Sequence, residues 1–170
     1  MMVEKVLVHN VHGLCKIIDT INMNSQDFAK VLILDDSNLI IYCPLLKLDN
    51  FFREPIAKKD IPALFDYMKT LVPDHIDGSK KQREFITNLL YSGNIKNIAY
   101  LYVALEKHKD EKAKHKQTLS VVEQRTLKSA TNALTNELSY VLNVPKEEIE
   151  NKEKAIYKWN RIKKEIDNLV

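Results

Sequence analysis

The hydrophobic pattern of this chain changes period once, at Asp60, and that change limits what each side of it can fold into. Before it, apolar residues come in short β-branched runs: Val3-Glu-Lys-Val-Leu-Val, Leu14-Cys-Lys-Ile-Ile, Phe28-Ala-Lys-Val-Leu-Ile-Leu and Leu39-Ile-Ile-Tyr-Cys. Polar punctuators part them. Asn22-Met-Asn-Ser-Gln is one, and Asp35-Asp-Ser-Asn reads as a tight hairpin. A last short strand is expected at Phe52-Arg-Glu-Pro-Ile. Five short strands with no helix between them favour a small antiparallel barrel or rolled sheet.

Beyond Asp60 the spacing is helical. Asp60 is expected to cap a helix with Pro62 in its first turn and Leu64, Phe65, Met68 and Leu71 inside, ending before Pro73. Pro73–Gly78 reads as a loop and a domain boundary. Ser79-x-x-Gln82 has the form of a capping box, opening a helix with Phe85, Ile86, Leu89 and Leu90 inside and Gly93 as its stop. Asn94 caps the next, which buries Ile95, Ile98, Tyr102 and Leu105 and runs into the lysine-rich Lys107–Gln117, an exposed overhang or a loop. The best-specified helix lies in Thr118–Leu142. Ser120-x-x-Glu123 is its capping box, and Leu127, Ala130, Leu134, Leu138 and Val141 form one stripe opposite Arg125, Lys128, Asn132 and Asn136. Asn143 and Pro145 end it. A final helix, 146–170, has Ile149, Ile156, Trp159, Ile162, Ile166 and Leu169 as apolar positions, with Trp159 expected in core or inter-helix packing. The fold class is therefore α+β. Residues 1–58 form the β domain, 59–77 a connecting helix and linker, and 78–170 an all-helical domain.

Charge follows the same division. Residues 1–77 carry 8 Lys and Arg against 11 Asp and Glu, net −3; residues 78–142 carry 11 against 6, net +5; residues 143–170 carry 7 against 6, net +1. A basic helical half joined to a mildly acidic one suggests two partners of different chemistry. The cations at helix starts, Lys80, Lys81 and Arg83 after Ser79 and Arg125 with Lys128 in the Thr118–Leu142 helix, oppose the helix dipole but stand beside free N–H groups, as phosphate binding requires.

Other chemistries find little support. No run of 18 apolar residues suggests a membrane span, the first residues do not read as a secretory signal, and two cysteines fit a reducing cytoplasm. His9-x-x-His12-x-x-Cys15 with Cys43 offers soft ligands, but alternate side chains of a strand diverge, and core packing and turn chemistry are the expected roles, with no metal and no cofactor. No P-loop, G-x-G-x-x-G or G-x-S-x-G occurs, which argues against catalysis.

Motifs in order along residues 3–142 resemble the CarD/CdnL family of bacterial transcription regulators, whose N-terminal module is shared with transcription-repair coupling factor. They are Val6-Leu-Val-His-Asn-Val-His12-Gly13-Leu-Cys-Lys-Ile-Ile, Leu39-Ile-Ile-Tyr-Cys-Pro44, Leu89-Leu-Tyr-Ser92-Gly93, Leu119-Ser-Val-Val-Glu123, Ala130, Leu134 and Glu137-Leu138. The resemblance implies a non-enzymatic partner of RNA polymerase. Its Tudor/SH3-like β domain would dock on the β subunit through an edge carrying Ile40 and Tyr42. Its helical domain would hold promoter DNA at the upstream edge of the bubble and modulate open-complex stability. Lys81 and Arg125 match basic family positions; Lys80, Arg83 and Lys128 are inferred from charge. Many family members place a wedge Trp before the basic helix, whereas this chain has no Phe, Trp or Tyr between Tyr67 and Phe85, so contact mainly with the phosphate backbone is expected. Relatives also carry Arg near the position of Tyr42, and the helix after Pro145 is an addition. The alternative is a polymerase-docking adaptor whose helical domain binds another protein instead of DNA.

Overall fold

A computed structural model describes residues 3–35 and 37–169, with side-chain surroundings as far as Lys163. The chain divides into two compact units, Met1–Pro55 and Ile56–Val170.

The first unit is a five-stranded antiparallel sheet of order β4-β3-β2-β1-β5: β1 (Val6–His9), β2 (Gly13–Met23), β3 (Gln26–Ile33), β4 (Ile40–Pro44) and β5 (Phe52–Arg53). Alternation decides its faces. Leu7, Cys15, Ile17, Ala29, Val31, Ile33 and Cys43 point inward and meet Phe52 and Leu48, the latter on a single-turn helix α1 (Leu48–Phe51). A register shift between Ile17 and Asp19 lets the long β2 bend while β3 follows it. The two-residue turn is Asn24-Ser25, both at positive φ (51° and 64°), joining β2 to β3. The link expected to be tight, at Asp35–Asn38, includes Asp36, which lies outside the described residues; Asn38 in it is left-handed. The His9 motif is turn chemistry: His9 Nδ1 accepts from the Val11 and His12 N–H groups at 3.0 and 3.1 Å. Burial, then the neighbouring His12, lowers its pKa and favours the neutral acceptor this role needs. Cys15 and Cys43 are free thiols in the sheet core, and Cys15 Sγ donates to Leu7 O at 3.4 Å.

The second unit is a bundle of α2 (Ile61–Thr70), α3 (Lys80–Leu90), α4 (Ile95–Lys114), α5 (Val121–Leu142) and α6 (Lys146–Leu169). The segment expected as a connector, α2, packs on α4 and α6 through Ile61, Leu64 and Met68. Pro62 sits in its first turn as expected, but Asp60 makes no side-chain cap, because a 3-10 turn (Lys58–Asp60) leads into the helix with Asp60 already in helical geometry. At its other end Asn160 Nδ2 donates to both Met68 O and Leu71 O at 2.8 Å, satisfying orphan carbonyls. At α5 the Leu127, Ala130, Leu134 and Leu138 stripe is buried against α4. Glu137, also buried, accepts from the Ile56 N–H at 2.8 Å and ties the entry of the unit to α5. Asn143 at φ 54° ends the helix in the left-handed cap.

Two aromatic expectations fail. Phe85 on α3 is 52% exposed and Trp159 on α6 is 59% exposed. For Trp159 the reason is geometric. Successive i+3 steps, from Ile156 to Trp159 to Ile162, each turn about 60° short of a full circle, so that row walks off the core face. The face that packs inward is Ile149, Glu153, Ile156, Tyr157 and Asn160. Ile166 and Leu169, placed on the same expected stripe, lie outside the described side chains.

Candidate nucleic-acid interface

The start of α3 is held by its own loop. Ser79 Oγ accepts from the Gln82 N–H at 3.2 Å, half of the expected capping box. The other half is different. Ser79 N–H donates to Asp77 Oδ1 at 2.8 Å, so the Gln82 carboxamide reaches further back. Its oxygen accepts from the Asp77 and Gly78 N–H groups, and its nitrogen donates to His75 O at 2.8 Å. Gly78 takes φ 76° in this loop. The first turn of α3 contains no carboxylate; the nearest is Asp77, in the loop just before it.

The start of α5 carries a complete capping box. Ser120 N–H donates to Glu123 Oε1 at 2.9 Å and Glu123 N–H to Ser120 Oγ at 3.2 Å. Burial opposes ionisation of Glu123, but its two bonds with Ser120, with His108 and Lys112 nearby, outweigh that and hold its pKa below the ordinary carboxylate value. Its second oxygen lies 3.0 Å from Nε2 of His108, a buried residue on α4. The His75 ring, from the loop before α3, meets the same His108 edge-on with centroids 6.3 Å apart. The α5 cap and the loop that leads into α3 therefore both reach His108 on α4. Sequence spacing could not have found this link, since His108 sits in what reads as a lysine-rich polar run. That run is helical to Lys114, and Gln117 N–H closes its end on Lys112 O at 2.9 Å.

Lys80, Lys81, Arg83, Arg125 and Lys128 are all exposed, and among the described residues none forms an ion pair. Lys80, Lys81 and Arg83 lie in the opening turns of α3, and Arg125 and Lys128 follow the α5 cap. Lys81 borders a groove that also contains Asp74, Asp77, Phe85 and Tyr100, so the basic surface is bounded by two carboxylates. In the other unit, Ile40 and Tyr42 lie on β4 at one edge of the sheet, 40% and 49% exposed, alternating with the inward Cys43. Among the described residues no group of three or more His, Cys, Asp or Glu side chains could hold a metal ion. No helix among them is long and apolar enough to cross a membrane.

No curated protein matches the chain. The family model of the CarD C-terminal domain matches residues 69–154, half of the chain, from the end of α2 through α3, α4 and α5 into α6. The chain belongs to the CarD family of transcription-associated proteins.

Proposed function

We propose that this protein regulates transcription by docking on the RNA polymerase β subunit through the edge of its sheet and contacting promoter DNA through its helical unit. What supports the DNA reading is that the loop leading into α3 and the cap of α5 both reach His108, and that Lys80, Lys81, Arg83, Arg125 and Lys128 are exposed in the early turns of these two helices. Helix N-termini offer N–H groups and partial positive charge to phosphates, and unpaired cations add counterion release. With no aromatic wedge before α3, contact is with the phosphate backbone and affinity falls steeply with salt. For the polymerase, an edge strand with outward Ile40 and Tyr42 supplies an unpaired backbone ladder and apolar anchors, the means of strand-addition docking. No enzymatic step is needed in this reading.

The test is the lifetime of the polymerase–promoter open complex with the wild-type chain and with Lys81→Glu, Arg125→Glu. The double variant should bind polymerase normally and lose the change in lifetime. A lifetime identical to the wild type's would sink the mechanism. The rival, an adaptor whose helical unit binds a protein instead of DNA, is favoured by the exposed Trp159 and by the absent wedge. A wild-type chain that docks on the β subunit yet gives no salt-sensitive DNA shift would support it.

A further inference from the structure

From Ala155 onward α6 lies beyond the family match and has a second apolar face. Ala155, Trp159 and Ile162 are exposed and fall within an arc of about 60°, turned about 130° from the face that packs on the bundle. Their spacing is 4 then 3, one heptad of a seam about 10 Å long. A seam needs a partner, and charge selects it. Between Lys152 and Lys163 the only carboxylate is Glu153, which is buried. Lys158 borders the apolar arc on one side and Lys163 on the other, both exposed, while Lys152 lies over the Phe65 ring, Lys154 beside Glu106, and Arg161 is engaged 3.5 Å from Asp110.

We propose that this face of α6 docks an acidic amphipathic helix of another protein. The partner presents apolar residues at 3–4 spacing flanked by Asp or Glu. Over residues 155–163 a second copy of this chain would set Lys158 and Lys163 against lysines, which disfavours self-pairing there. Duplex DNA would be drawn by the same cations but cannot bury a continuous apolar seam. The inference concerns a segment outside the match and stands whether or not α3 and α5 touch DNA.

Trp159 is the only tryptophan, so the full-length chain reports on its own seam. The probe is a synthetic three-heptad peptide with Leu in the seam and Glu on both flanks; its Lys-flanked twin and a random-sequence duplex are the comparisons. The acidic peptide should shift Trp159 emission to the blue in a saturable way. Lys158→Glu with Lys163→Glu should weaken that binding about tenfold and create binding to the basic peptide. Ile162→Asp should abolish both while the circular dichroism spectrum is retained. No shift with the acidic peptide would overturn the proposal, as would equal shifts with both peptides. So would a shift produced only by the duplex, or by raising protein concentration with a doubled mass in sedimentation.

Discussion

Glu153 is 1% exposed, and its Oε1 accepts from Thr135 Oγ1 at 2.8 Å across the α5–α6 contact. Burial drives its pKa up from 4.5 to about 7; the Thr135 bond pulls the other way and Glu150 adds to the rise. The sign of the consequence follows from proton linkage. Below pH 4.5 the carboxyl is protonated in folded and unfolded chains alike, and its burial costs least. As the pH climbs toward 7 the unfolded chain ionises while the folded one does not, so stability is lost. Above 7 both are ionised and the loss is complete. The interval from 4.5 to about 7, at about 1.4 kcal/mol for each pH unit, amounts to about 3 kcal/mol. Glu153→Gln retains an oxygen to accept from Thr135 and cannot ionise. In urea melts of the full chain the variant should match the wild type within about 1 kcal/mol at pH 4 and exceed it by about 3 kcal/mol at pH 8. A difference that stays the same at both pH values would refute the reasoning, because it would mean that packing, not ionisation, separates the two proteins.

Three further outcomes are expected. Leu134→Ala empties a fully buried site between α4 and α5 and should cost about 3–5 kcal/mol in the same melts. Ser25→Gly removes a side chain from a turn position at φ 64° and should raise stability by roughly 0.5–1 kcal/mol, seen as a higher urea midpoint with an unchanged slope. Cys15, fully buried and with its thiol pushed up to about 11, chiefly by burial, should be alkylated at pH 8 only through unfolding, so its labelling rate should climb with urea.

Sequence reasoning succeeded where the information is local. The period change at Asp60 separated sheet from bundle, and Ser120, Glu123 and Asn143 marked α5 because a cap is written in four or five adjacent residues. It failed where the answer depends on which of two faces a helix turns inward. On α6 both Ile149–Ile156 and Trp159–Ile162 are apolar, and the bundle buries the first pair together with Glu153, Tyr157 and Asn160, residues whose polarity hid their place. Asn160 ends inside because two carbonyls at the close of α2 need its amide, a requirement 89 and 92 residues away in the chain. The same holds for His108. Five of the eleven residues in Lys107–Gln117 are lysine, and a polar run of that kind gives no hint that one histidine within it is buried against the α5 cap and the loop before α3.

That buried contact bears on why the two starts differ. At α5 the positive end of the dipole meets Glu123, a carboxylate inside the cap, so the field there is largely offset before Arg125 adds its charge. At α3 the corresponding cap residue is the neutral Gln82, and the first turn holds two lysines, an arrangement that costs roughly 0.3–1 kcal/mol for each cation. A chain shaped for stability alone gains by placing Asp or Glu at either position. The first turn of α3 thus keeps its dipole uncompensated within the helix, with Asp77 and Asp74 only at its border, and α5 contributes mainly side-chain charge. Of the two substitutions in the open-complex test, Lys81→Glu should therefore have the larger effect on DNA affinity. An equal effect from Arg125→Glu would mean that the helix dipole plays no part in the contact.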